Sequence, residues 1–160
     1  MPILKIITLP NQNLRKKSAE ISAAEMKTRE FKSLISSMGK TMVKTDGVGL
    51  AAPQIGKNIR LAVINSKDGV FCLINPEFTK KSWAKELAQE GCLSIPGVFG
   101  KVKRCKKVSL IYYNQDGKKT KLTAAGMMAR VIQHEIDHLD GILFIDKAVE
   151  VENVKLKNQN

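Results

Sequence analysis

Apolar positions along the chain alternate between two periods. Phe31, Leu34, Ile35, Met38 and Met42 recur at helical spacing with Lys and Glu between them. Ser22-Ala23-Ala24-Glu25 before them has the S-x-x-E form of a capping box. Together these predict one amphipathic helix of about five turns from Ser22 to near Lys44–Gly47. Met127, Met128, Val131, Ile132, Ile136 and Leu139 make a second helix, Ala124–Leu139, apolar around most of its circumference, with Gly141 as its stop. A helix of that kind is buried. Strands are expected at Ile59–Asn65 and Val70–Asn75, joined through the turn Ser66-Lys67-Asp68-Gly69. Further strands are expected at Trp83–Gln89, Val108–Tyr113 and Lys118–Thr123, with Asn114–Gly117 turning between the last two. Residues 1–10 read as an edge strand or extended arm, Asn11–Ser18 as a loop, Ile142–Asp146 as a short packed tail, and 150–160 as frayed. Lys101–Lys107 carries five basic residues among seven and reads as solvated.

Two segments fit neither period. Gly47–Gly56 and Glu90–Gly97 are rich in small residues, which suits tight connections and close backbone approach. The first has neither the Lys-Ser/Thr of a phosphate loop nor a G-x-G-x-x-G spacing.

Composition adds limits. The chain has 160 residues and a 43% apolar fraction, which suits one domain with one core. No apolar run reaches the roughly 18 residues of a membrane span. The apolar N-terminal run lacks a signal peptide's charged lead and cleavage site, so the expected location is the cytoplasm. Three cysteines, Cys72, Cys92 and Cys105, argue against a disulfide framework and leave room for a thiolate ligand. Cys72, inside Val70–Ile74, reads as a small buried hydrophobe. The net charge of +12 favours polyanionic surroundings, while 5% aromatics and the lack of a nucleic-acid motif give sequence-specific binding no support.

The densest chemistry lies in Gln133-His134-Glu135-Ile136-Asp137-His138-Leu139, which holds both histidines of the chain. On a helix, His134 and His138 stand on one face and can share a metal ion, with Glu135 able to move protons for a water there. A catalytic metal needs a third protein ligand. No third His exists, and the Glu residues downstream, Glu150 and Glu152, lie close to the chain end. Cysteine is the alternative: Cys92 first, beside Gly91 in a turn-like context, and Cys105 second.

Three segments now stand together in order: Gly47-Val48-Gly49-Leu50-Ala51-Ala52-Pro53-Gln54, Glu90-Gly91-Cys92-Leu93-Ser94 and Gln133–Leu139. In this arrangement the chain resembles the peptide deformylases, which remove the formyl group from the N-terminal methionine of new proteins. The likeness extends from Leu14-Arg15 through Gly141-Ile142-Leu143-Phe144. It implies an α+β fold, one catalytic domain over 1–160, with mixed or antiparallel strands around a central buried helix. It implies a metal held by Cys92, His134 and His138, with Fe2+ as the working ion and Zn2+, Ni2+ or Co2+ able to substitute. Metal-bound water would attack the formyl carbon, with Glu135 as general acid/base. Gln54 and the Leu93 N–H would stabilise the oxyanion. Val48, Gly49, Glu90, Gly91, Met127, Arg130 and Val131 would contribute to substrate binding. The partner implied is the N-terminus of a nascent polypeptide, without a membrane. Longer relatives carry a C-terminal helix that helps them dock on the ribosome; here Lys155 and Lys157 stand in a short polar tail, and the basic surface is the remaining route to that association. Arg104 either pairs with Glu90 to hold the Cys92 loop or is one solvated charge of the basic run. Two other readings share parts of this pattern: a zinc endopeptidase with a different third ligand, and a basic RNA-binding protein with a closed structural metal site.

Overall fold

The structure, a computed structural model, describes residues 1–154. The capping box at Ser22 is formed: its hydroxyl accepts from the Glu25 N–H, and the Glu25 carboxylate accepts from the Ser22 N–H at 2.8 Å. The helix it starts, α1 (Ala23–Met26), lasts only four residues. Thr28 then adopts an extended backbone, ψ 148°, and its hydroxyl accepts from Phe31 N–H to cap a second helix, α2 (Arg29–Lys44). The single expected helix is therefore two. A local side-chain cap competes with continuation of the backbone ladder, and the apolar period does not record the break.

The small-residue segment after α2 forms β1 (Gly49–Ala51) and a 3-10 turn over Ala52–Ile55. Then come β2 (Leu61–Ser66) and β3 (Gly69–Lys81), joined by the expected turn. Next are β4 (Lys85–Cys92), β5 (Ile95–Cys105), β6 (Lys107–Tyr113) and β7 (Lys119–Ala125). The chain ends its described part with α3 (Gly126–Leu139), α4 (Phe144–Lys147) and β8 (Ala148–Asn153). The strands form a five-stranded sheet in the order β1-β2-β3-β6-β7 and a three-stranded sheet in the order β4-β5-β8. All of these ladders are antiparallel; the parallel contact among the described residues is the isolated bridge Ala19–Ile59.

The α+β reading holds, and α3 is the buried helix that the sequence foretells. Ala129–Gln133 and Glu135–Leu139 are all buried. The helix packs on β1, β2, β6 and β7 from the large sheet and on β5 from the small one. Leu73, Val108, Leu110, Ile132 and Ile136 fill one core; Met38, Met42, Leu50, Leu61 and Val63 fill another beneath α2. Residues 1–10 are an arm, not a strand. Leu4, Ile7 and Leu9 N–H groups donate to Thr41 Oγ1, Gln54 O and Ser94 O, so the arm ties α2 to both small-residue segments.

Two expectations are corrected. Lys101–Lys107 is not a solvated run: it spans the end of β5, where Val102 and Arg104 are buried. Alternation on a strand puts these two inward and Lys101 and Lys103 outward. Residues 150–153 do not fray, because β8 pairs with β5 from Val98–Asn153 to Val102–Ala148. Gly100 permits this approach, since a Cβ there would sit 2.9 Å from Ala148 Cβ. The rest of the stretch expected to fray, with Lys155 and Lys157, lies outside the described residues.

Candidate metal centre and active-site cleft

The two imidazoles project from one face of α3, with ring centroids 5.0 Å apart. Cys92 ends β4, and the turn Leu93-Ser94 carries the chain into β5, so its sulfur reaches the helix from the small sheet. Cys92 Sγ lies 3.3 Å from His138 Nε2, and donor atoms of Cys92, His134 and His138 all fall within 4.8 Å of one another. These three could hold a metal ion, and they are the three named from sequence. Cys105 is not part of the cluster; its backbone is bracketed by the Gln133 amide, through N–H to Oε1 and Nε2 to O.

Buried charge orients the donors. Glu90 Oε1 lies 2.8 Å from His134 Nδ1, so the ring's other nitrogen, Nε2, is the one turned to the Cys92 side of the cluster. The same carboxylate accepts from Arg104 Nε and Nη2, each at 2.9 Å, and from Arg130 Nη1 at 2.7 Å. Burial opposes ionisation of Glu90, but the hydrogen bonds from His134 and Arg104 prevail and bring its pKa down to about 2. Burial likewise opposes a charge on His134, yet the hydrogen bonds with Cys92 and Glu90 raise its pKa to about 10. Burial, then the neighbouring His134, pushes His138 well below the usual histidine range. Arg104 also donates to Asp137, which takes a second bond from Lys147 at 2.9 Å. The Arg104–Glu90 pairing is thus present, and the alternative of a solvated Arg104 is excluded.

Glu135 is buried on the cluster's flank, and its Oε2 has no hydrogen-bond partner. Burial raises its carboxyl to about 7. Gly49 lies against it: a Cβ on Gly49 would overlap Glu135 Oε1 and sit 2.7 Å from its Cδ. The close backbone approach expected of the first small-residue segment is made here. Gln54 is held by the 3-10 turn, with its Oε1 accepting from Ala51 N–H at 2.8 Å. Its Nε2 faces Cys92 Sγ at 3.5 Å and Ser94 Oγ at 3.3 Å.

A cleft of about 420 Å³ opens over these groups. Val48, Gly49, Gln54, Glu90, Gly91, Cys92, Leu93, Met127, Arg130, Val131, His134 and Glu135 all border it, while His138 lies beneath. Val48 and Met127 are exposed at the rim, and Val131 is buried deeper. Arg130 borders the cleft, but its guanidinium is turned to Glu90, Val102 O and Glu86 O. It ties α3 to β4 and β5. Sequence reasoning misses Phe99, whose ring crowds Gly91, and Asp137 as a partner of Arg104. Asp137 is visible as a carboxylate on a buried helix; its partner from β5 is hidden by the basic run around Arg104.

The polypeptide deformylase family model matches residues 3–154. The chain belongs to this family. It is 43% identical over 159 residues to a peptide deformylase of Syntrophomonas wolfei, covering 98% of this chain and 100% of that one. It is 47% identical over 145 residues to a peptide deformylase of Pseudothermotoga lettingae, covering 90% and 82%. The crystal structure of the Thermotoga maritima peptide deformylase superposes with a TM-score of 0.89 at 36% identity, over 92% of this chain and 99% of that one. Members of the family are enzymes that remove N-terminal formyl groups, and membership places this chain among them. Among the described residues no helix is long and apolar enough to cross a membrane.

Proposed function

We propose that the whole of 1–160 is one catalytic domain that hydrolyses the formyl group from formyl-methionine at the start of new polypeptides in the cytoplasm, releasing formate. The observation that carries this reading is the convergence of Cys92, His134 and His138 beside Glu135 and Gln54 at the floor of one cleft. The donor set fits a divalent metal. His134 is oriented through Nδ1 by Glu90 as metal-binding imidazoles are, and the resemblance to deformylases makes Fe2+ the working ion, with Zn2+, Ni2+ or Co2+ as substitutes. Such an ion supplies Lewis acidity, making water a competent nucleophile near neutral pH.

The chain's own groups do the rest. Glu135 Oε2, buried and unpartnered, accepts the proton of the attacking water and returns it to the leaving amine. Gln54 Nε2 and the Leu93 N–H donate to the oxygen that becomes negative as the formyl carbon turns tetrahedral. β1 is an outer strand of its sheet, so a peptide can add alongside Val48 and Gly49 as a further strand. The space between Val48, Gly91, Met127 and Val131 receives the methionine side chain. Three protein donors leave a position open, which supports catalysis over a closed structural site, and a thiolate third ligand supports deformylation over peptide-bond cleavage. The basic surface provides association with the ribosome.

Formate release from formyl-Met-Ala peptides by anaerobically prepared enzyme tests this reading. Release by the wild type, with loss of metal and activity in Cys92→Ser, is the expected result. No release at full metal occupancy, or a Cys92→Ser variant with unchanged metal content, overturns it.

A further inference from the structure

Trp83 is the chain's only tryptophan, and it is 99% exposed. It sits in the turn between β3 and β4, away from the cleft and from every core cluster. The turn is rigidly held. Ser82 N–H donates to Lys107 O, Lys106 N–H to Ala84 O, and Lys107 N–H to Ser82 Oγ. These bonds lash the start of β6 to the turn, which brings the exposed Lys80, Lys81, Lys85, Lys106 and Lys107 onto the two segments that meet there; the Lys81 ammonium lies over the Phe78 ring, 4.3 Å from its centroid. Among the described residues none of the five is ion-paired with a carboxylate. A fully solvated indole on a fixed turn inside an uncompensated cationic patch has no structural role to explain it.

Beside the turn lies a hollow of about 200 Å³. Its walls are Lys80, Ser82, Lys107, Val108, Ser109 and Thr123; the Ser109 and Thr123 hydroxyls bond each other at 2.9 Å, and Ser82 Oγ accepts from Lys107 N–H, each keeping lone pairs for a further donor. We infer that Trp83 and this hollow form a docking surface for single-stranded RNA, with a base stacked on the indole and the adjoining phosphates and 2′-hydroxyls set against Lys80, Lys107 and the hydroxyls. The chemistry matches that class. A flat aromatic face takes any unstacked base, cations track the backbone, and hydroxyls pair with phosphate and sugar oxygens. An anionic membrane would need several apolar anchors in one plane, and Trp83 is the one large exposed apolar side chain in residues 80–85 and 106–107. The +12 net charge brings polyanions to the molecule; Trp83 gives them a place to stop.

Because the chain has one tryptophan, its intrinsic fluorescence reports on Trp83 alone. The test titrates the metal-loaded full chain with an unstructured mixed-sequence RNA oligonucleotide, and separately with phosphatidylglycerol vesicles, following tryptophan emission. Binding of labelled RNA is followed in parallel by anisotropy at several salt concentrations. Saturable quenching by RNA is expected. Trp83→Ala should weaken RNA binding roughly 5- to 100-fold, the range for removal of one stacking platform. Lys80→Glu/Lys107→Glu should weaken it too, and the slope of log affinity against log salt should flatten by about 0.7 for each phosphate no longer neutralised. Formyl-peptide hydrolysis should be unchanged in both variants, which also shows them folded. RNA binding with no quenching, or with equal affinity in the wild type and both variants, overturns the proposal. So does a vesicle-induced blue shift without an RNA response, which would assign the surface to lipid.

Discussion

Cys72 illustrates how one position on a strand sets a side chain's chemistry. It faces inward on β3 opposite Val63, almost wholly buried, and burial pushes its thiol up to about 12. The reactive form is the thiolate. Cys72 is therefore expected to resist iodoacetamide in the native protein at pH 8 while half-buried Cys105 is modified, as peptide mass mapping would report; rapid native labelling of Cys72 would contradict its burial. The same shift has a stability consequence. Above about pH 9 the unfolded chain releases the Cys72 proton and the folded chain does not, so the folded state loses stability between about pH 9 and 12. In Cys72→Ala that part of the alkaline slope, up to about 1.4 kcal/mol per pH unit, should vanish from the difference between denaturation curves. Gln54 shows the opposite case, a buried polar group whose amide donors face Cys92 Sγ and Ser94 Oγ at the cleft through long bonds of 3.5 and 3.3 Å. Gln54→Leu should lower kcat for formyl peptides about 10²–10³-fold. Gln54→Glu keeps an acceptor for Ala51 N–H and lacks the donor. A fall of the same order in both variants, with melting temperatures close to wild type, separates oxyanion stabilisation from the structural bond.

At the scale of elements, the cleft depends on how closely β1 passes α3. Gly49 has no Cβ because Glu135 occupies that space. Gly49→Ala leaves the β1–β2 ladder able to form but displaces the Glu135 carboxylate, so kcat should fall by tenfold or more with KM little changed; a fully active Gly49→Ala enzyme would show that the carboxylate has room to move. The sequence announces this approach only as a run of small residues. It can say that backbone comes near something, not that the something is Glu135, because that depends on α3 packing on β1. The same limit explains the other differences. Periodicity marks α3 and the β2–β3 hairpin well, since each has one dominant pattern. It fuses α1 with α2, because the Thr28 cap leaves the apolar spacing intact. It makes the end of β5 look solvated, because one of its two inward residues, Arg104, is itself basic, and Arg104 is buried by charge partners from β4 and α3 that no local pattern encodes. The site residues are legible for a different reason: their types and spacing recur as whole motifs, which carry the geometry that periodicity lacks.

For the whole molecule, the three groups that could hold a metal come from two parts of the fold, Cys92 from the small sheet and His134 and His138 from the helix packed on the large one. Around them the chain buries Glu90, Arg104, Arg130 and Asp137, a set whose mutual pairing offsets a large desolvation cost without adding much net stability. An ion that binds all three donors in the folded state, and has no such cluster to bind in the unfolded chain, contributes stability through linkage. At a free metal concentration about a hundred times Kd that contribution is about 2.7 kcal/mol. In a chain of this size it corresponds to a rise in melting temperature of roughly 5–10 °C. Anaerobic calorimetry should therefore show a chelator lowering the transition by that amount and added Zn2+ or Fe2+ restoring it. Cys92→Ser should melt close to the chelated wild type and respond weakly to metal. Equal melting temperatures with and without chelator, at metal levels that support hydrolysis, would mean that the ion does not bridge the small sheet and the helix, and the donor assignment would fail with it.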